Sequence, residues 1–210
     1  AEGWRVTIAD ANGETQRLAR SIGAGSAPGM DEPELVIVAT PPGVTPDVVT
    51  EALATWPHAV VVDVASVKAP IAAAAASSGH GHRYVGSHPM AGREVSGALA
   101  AQGDLFRARP WVICPGLATD EAVALVRRVA DALQCDVVEM DAAAHDRAVA
   151  RVSHAPQAAA SAVAAALGPL GADDVAANVH AVQHDERILS AYVLNGKKLY
   201  VITEWDRSVT

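Results

Sequence analysis

The chain has 210 residues, half of them hydrophobic, a net charge of −8 and two cysteines. That is ample for a globular core, and the acidic balance argues against a general nucleic-acid or anionic-membrane binder while leaving room for a local cationic pocket. No apolar run approaches the length of a membrane span, no signal peptide opens the sequence, and Cys114 and Cys135 stand far apart with no CxxC. A cytoplasmic protein without a disulfide framework or zinc site is therefore expected.

Residues 4–10 alternate apolar and polar side chains and end on Asp10, after which residues 14–22 place Leu18 and Ile22 at helical spacing. This is a β–α step, and an acid at the end of such a strand is where dinucleotide folds hydrogen-bond the adenine ribose, favouring NAD over NADP. The competing role for Asp10 is the N-cap of the next helix. The strand and GxGxxG turn that should precede this step are expected to be missing from the sequence. Gly23, Gly25 and Gly29 do not replace them, because they come after a helix, at the wrong spacing, with Pro28 among them.

Residues 35–40 form a continuous apolar run of the kind buried on both faces of a parallel sheet, ending at Thr40 and Pro41. A helix over 45–56 and a second buried strand over 59–64 come next, and two successive β–α units predict a parallel sheet with right-handed crossovers. Ser66 and Lys68 occupy the turn leaving that strand, ahead of a helix through alanines 72–76, which lets both face the same crevice as His88. Ser66 either faces the ligand crevice or caps that helix, or does both.

The stretch 86–97, GSHPMAGREVSG, reads as a site. Residues 82–85 have strand character, which puts Ser87 and His88 at the strand's C-terminal end, the edge where open α/β sheets bind ligands. Pro89 biases the backbone of His88 away from the helical region, and Gly86 and Gly92 allow close approach to a ligand or a positive φ. A rigid, exposed imidazole is the expected result. His80 and His82 form an HxH without convincing companions, so no metal site is expected.

Another short strand is predicted over 110–115, then a helix capped by Thr119 with Val123, Val126, Val129 and Leu133 on one face, then a strand over 136–140. From Asp141 the sequence turns alanine-rich and helical to about residue 167, with a kink or break expected at Pro156 just past His154. At 3.6 residues per turn Arg147, Arg151 and His154 fall on one face, either a cationic substrate contact or a solvated stripe. Gly168 to Gly171 breaks the helix, 173–184 offers another, and Asn195-Gly196 between two apolar runs signals a closing β-hairpin. The expected domains are a Rossmann-like nucleotide-binding domain over 1–140, a partial helical domain over 141–185 and the hairpin over 186–210.

Taken in order, DVASVKAPI, GSHPMAGREVSG with the LF and PWVICP after it, and AAAHDRAVARVSHAP resemble the blocks of the prephenate dehydrogenase family of tyrosine biosynthesis, at suitable spacing. The resemblance implies a Rossmann-like, mostly parallel sheet followed by an α-helical domain that forms homodimers. It also implies oxidative decarboxylation of prephenate to 4-hydroxyphenylpyruvate with NAD, or with NADP, some members using arogenate. Carried over by position, His88 is similar to the catalytic histidine that hydrogen-bonds the ring hydroxyl, and Ser66 to the serine that orients it and the nicotinamide. His154 resembles the ring-binding histidine and Glu94 the acid at the pocket mouth. Asp10, with Thr40, Pro41 and Ser66, would hold the cofactor, and Arg147 or Arg151 would meet the substrate's carboxylates.

The sequence departs from the family pattern in four places. The opening strand and glycine turn are not matched, nor is a later GFxDxTR-like run; Gln157 replaces a second histidine, and Arg93 a small polar residue. With its hairpin tail, the chain is expected to be an incomplete or rearranged member. Two other readings stand beside the dehydrogenase: another hydroxyacid dehydrogenase on the same fold, and a non-catalytic remnant that binds a small ligand or partner chain.

Overall fold

The computed structural model describes residues 4–27, 29, 32–92, 101–154, 188–194 and 197–203, with side chains up to residue 152. The chain divides into two units, Ala1–Ala148 and Val149–Thr210.

In the first unit five strands form one sheet in the order β1 (Leu35–Val38), β2 (Val60–Asp63), β3 (Tyr84–Pro89), β4 (Pro110–Cys114) and β5 (Asp136–Glu139). β1, β2 and β3 run parallel, β4 is antiparallel to β3, and β5 is parallel to β4. The sheet is therefore mostly parallel, as expected. Among the helices, α2 (Thr45–Thr55) and α3 (Ala69–Ser77) link β1 to β2 and β2 to β3, while α4 (Asp120–Ala132) links β4 to β5.

Successive strand residues point to opposite faces, so a strand buried on both sides needs apolar residues at every position. β2 shows this directly. Val61 packs with Val38, Val49, Leu53, Ile71, Ala75 and Tyr84, on the face covered by α2 and α3, whereas Val62 packs with Val85, Trp111, Ile113, Ala122, Val126 and Ala130, on the face covered by α4.

The helix ends obey local chemistry. Asn12 caps α1 (Gly13–Ser21) by accepting from the backbone of Glu14 at 2.8 Å, while Asp10 accepts from the N–H of Asn12 at 2.7 Å; the cap is thus Asn12 and not Asp10. Gly23, at φ +78°, closes α1: its N–H donates to Arg20 O and that of Ala24 to Ala19 O, the paired bonds of a left-handed helix C-cap. Thr119 caps α4 by accepting from Ala122 N, as the sequence indicated. Thr119→Ala is expected to cost about 1 kcal/mol, measurable by denaturant titration; no loss would contradict the capping role.

Residues 4–10 do not form the expected strand. Thr7 makes one isolated parallel bridge with Ser26, and Val6 is half exposed. Alternation alone does not hold a strand: this segment finds a single-residue partner in place of a ladder, and an apolar side chain with no sheet face to cover it.

α5 (Ala142–Val149) is shorter than the predicted helix and passes into a π-helical turn, Ala150–His154, before Pro156. The wider turn alters angular spacing, so 3.6-residue reckoning does not carry from Arg147 on to His154. In the second unit β6 (Ile188–Leu194) and β7 (Lys197–Thr203) pair antiparallel, as expected of a hairpin; the turn residues 195–196 and the helix expected over 173–184 lie outside the described residues. Among the described residues no helix is long and apolar enough to cross a membrane.

Candidate active site

The parallel run of β1, β2 and β3 brings three chain segments to one sheet edge: Thr40 and Pro41 after β1, Ser66 in the bend after β2, and His88 near the end of β3. The turn at Thr40 is fastened from within. Thr45, fully buried, sits 3.0 Å from both Thr40 O and Pro41 O, and its hydroxyl also meets the Thr40 hydroxyl at 3.0 Å. Since the single Thr45 proton goes to a carbonyl, Thr40 donates inward and keeps lone pairs for a ligand.

His88 differs from expectation in two respects. β3 begins at Tyr84, after a 3₁₀ turn Gly81–Arg83, and runs through His88 to Pro89, so His88 belongs to the strand and lies opposite Val112 of β4. It is half-buried, not exposed, with the His145 ring of α5 set against its own at a centroid distance of 5.1 Å. Its Nδ1 lies 2.9 Å from His145 Nε2, the rings meeting edge to face, and His145 Nδ1 lies 2.8 Å from Asp146 Oδ1. Burial, then the repulsion a second protonated ring at His145 would exert and that of Lys68, push the His88 imidazole down to about 4, with Asp146 opposing. It is a neutral base throughout the physiological range.

Lys68 does not face a crevice. Its ammonium is fully buried, donating to Asp63 Oδ1 and, at 2.6 Å, to the carbonyl of Ser87. Asp63 Oδ2 accepts from the Tyr84 hydroxyl at 2.6 Å, Oδ1 from Ala65 N at 2.9 Å, and the Asp63 carbonyl from Ser87 Oγ at 2.7 Å. Burial lowers the Lys68 ammonium from its ordinary value, opposed by Asp63, and burial raises the Tyr84 phenol. The cluster pins the backbone immediately before His88. Gly86 serves it: a Cβ there would stand 3.3 Å from the Tyr84 hydroxyl and 3.4 Å from the Lys68 stem. Neither Gly86 nor Gly92 takes a positive φ, so Gly86 makes room for the buried cluster instead of a ligand.

Ser66 is not the cap of α3. That role falls to Asp146, whose carboxylate accepts from the N–H of Lys68 and of Ala69, each at 2.8 Å. Burial would raise the Asp146 carboxyl, but the Ala69, His145 and Lys68 hydrogen bonds hold it below its usual value. Asp63, Tyr84, His145 and Asp146 had gone without a role in the sequence. The signals available were an acid ending a buried strand, a lysine five residues on, and an adjacent His-Asp pair opening a helix.

Of the other predicted residues, Asp10 is exposed, Arg147 is exposed on α5 and Arg151 is exposed in the π turn. Glu94 and the side chain of His154 lie outside the described residues. Among the described residues no group of three or more His, Cys, Asp or Glu side chains could hold a metal ion. Cys114 is buried and its thiol pushed up to about 11, chiefly by burial, so it is not a thiolate nucleophile at neutral pH.

The neutral state of His88 has a measurable consequence. Below the ordinary imidazole value of 6.5 the unfolded chain takes up a proton that the folded chain refuses until about 4. Stability from this group is therefore complete above pH 6.5 and lost as the pH falls toward 4. Thermal melting at pH 7 and pH 5 should show a larger drop for the wild type than for His88→Asn; equal drops would contradict the assignment.

Hydroxyl-bearing turns at the carboxyl ends of parallel strands, in a sheet covered by helices on both faces, define a nucleotide-binding α/β domain. The model of the prephenate dehydrogenase nucleotide-binding domain matches residues 1–139. The chain belongs to the prephenate dehydrogenase family. It is 39% identical over 158 residues to the probable prephenate dehydrogenase NovF of Streptomyces niveus, covering 72% of this chain and 42% of that protein. The solved structure of prephenate dehydrogenase from A. aeolicus in complex with hydroxyphenyl propionate and NAD+ matches with a TM-score of 0.69 and 26% identity, over 75% of this chain and 58% of that one. Synechocystis arogenate dehydrogenase matches with a TM-score of 0.66 and 26% identity, over 85% and 66%. The chain spans less than half the length of the curated relatives it matches.

Proposed function

We propose that this chain takes part in the NAD-dependent oxidative decarboxylation of prephenate to 4-hydroxyphenylpyruvate, a step of tyrosine biosynthesis, with His88 as the base. The observation that carries the reading is His88 itself: a neutral, half-buried imidazole at the ligand-binding edge, engaged at Nδ1 by His145, with Nε2 bonded to none of the described residues and left to address a substrate. The NAD+ and hydroxyphenyl propionate named for the A. aeolicus structure support the choice of cofactor and substrate class.

The residues fit a dinucleotide: Thr40 and Ser66 offer hydroxyls at the strand ends and Asp10 an exposed carboxylate for ribose hydroxyls. Bound there, the oxidised nicotinamide supplies a hydride acceptor. Hydride leaves the ring carbon that carries the hydroxyl, so that O–H must give up its proton as the carbonyl forms, and His88 accepts it. Ser66 holds hydroxyl and nicotinamide in register. Loss of the ring carboxylate as CO2 leaves an aromatic product, which makes the step irreversible. His154, Glu94, Arg147 and Arg151 are assigned to the substrate, the arginines to its carboxylates. A cytoplasmic homodimer goes with this reading. NAD is preferred over NADP because a 2′-phosphate would meet the charge of Asp10.

Calorimetric titration with each nucleotide tests the proposal. Tighter binding of NAD+ than of NADP+ is expected, and a folded chain that binds neither would overturn it.

A further inference from the structure

We propose that His145 and Asp146 are positioning residues for His88, fixing its tautomer and accepting through it the proton released in the reaction. The inference rests on His88 being the base, as proposed above, and comes from counting donors along three hydrogen-bonded groups.

Asp146 begins the chain. An ionised carboxylate only accepts, and this one accepts from Lys68 N and Ala69 N at the start of α3, where the helix dipole favours negative charge. Its contact with His145 Nδ1 at 2.8 Å therefore requires the proton on Nδ1. A neutral His145 then carries a lone pair on Nε2. That atom lies 2.9 Å from His88 Nδ1, and two bare nitrogens do not make a hydrogen bond, so His88 must carry its own proton on Nδ1. The free lone pair of His88 falls on Nε2.

His145 is 1% exposed, so water does not compete for either of its nitrogens. Among the described residues the charged groups around the pair are the Asp146 carboxylate and the buried Lys68 ammonium, the latter paired with Asp63. When the substrate's O–H bond breaks, its proton bonds to His88 Nε2. The proton on His88 Nδ1 passes to His145 Nε2, so positive charge rests on His145 against Asp146 and His88 is again neutral, in its other tautomer. A desolvated imidazole thereby acts as a base without retaining the charge that its surroundings disfavour.

Long-range nitrogen–proton NMR correlation on the 15N-labelled chain at neutral pH reads these tautomers without substrate. His88 and His145 are both expected protonated at Nδ1 and bare at Nε2; a proton on His88 Nε2 in the resting chain would overturn the proposal. In Asp146→Asn the amide oxygen keeps the position that accepts from both Lys68 N and His145 Nδ1, so the resting tautomers should be retained while the countercharge for a protonated His145 is lost. The kcat should then fall on the order of 10²-fold with KM little changed, and a wild-type kcat would overturn the role given to Asp146. Should that variant fail to fold through loss of the α3 cap, His145→Gln and His145→Phe make the same comparison. The glutamine carbonyl still accepts from His88 Nδ1, so His145→Gln should keep far more activity than His145→Phe; equal activities, or wild-type kcat in His145→Phe, would overturn the assignment. An inactive chain with the expected tautomers would count against the dehydrogenase reading alone.

Discussion

His88→Asn is expected to lower kcat by roughly 10²–10⁴-fold, the range supplied by a positioned acid–base group, with little change in melting temperature. The ring's described hydrogen bond is the one to His145, and its strand neighbours are held by backbone pairing with β4, neither of which the fold depends on for its core. Asparagine keeps a polar group near Nδ1 but has no base at the position of Nε2. Steady-state kinetics with a parallel melting curve separates the outcomes. Loss of activity with a retained transition supports the catalytic role, whereas a variant that unfolds would return His88 to a purely structural one.

Lys68→Met should have the largest effect on stability, about 3–5 kcal/mol, because it leaves the Asp63 carboxylate buried with no countercharge. The remaining donors, Tyr84 Oη and Ala65 N, are neutral. Ser87 O also loses its donor, one residue before His88, so activity should fall along with stability. Methionine nearly matches the lysine stem in volume, which keeps cavity formation out of the comparison. Adding Asp63→Asn to Lys68→Met should restore most of the loss by removing the stranded charge. For a chain of this size each kcal/mol moves the melting temperature by roughly 2–4 °C, so both variants are resolvable. A single-variant loss under about 1 kcal/mol, the worth of an exposed pair, would contradict the buried geometry.

Those two residues also mark how far the sequence could be read. The strand run 60–63 was legible because a strand covered on both faces must be apolar throughout, a local property visible in one line of residues; 35–38 was legible as a strand too, but it lies at the edge of the described sheet with Ile37 49% exposed, so the burial on both faces expected of it is not found. His88 was legible as chemistry because Gly-Ser-His-Pro is poor core material. Its half-burial was not, since the ring packs on His145 of α5, which arrives from 57 positions further along the chain. Lys68 was misjudged for the same reason: local context puts it on a ligand-facing turn, and only the fold delivers Asp63 and the Ser87 carbonyl to its ammonium. Asp146 is the clearest case. Nothing in AAAHDRAV says that its carboxylate caps a helix 78 positions earlier in the chain. At the N-terminus the error ran the other way: 4–10 has the pattern of a strand, but a strand also needs a neighbour along its length, and the pattern does not report one.

The most direct test of His88 as the base of a prephenate dehydrogenase is turnover itself. The chain is mixed with prephenate and NAD+, reduced cofactor and CO2 are followed together, and the assay is repeated with arogenate and with NADP+. NADH and CO2 are expected in equal amounts with prephenate, and both should be abolished in His88→Asn. A folded chain that forms neither product in any combination would contradict the assignment.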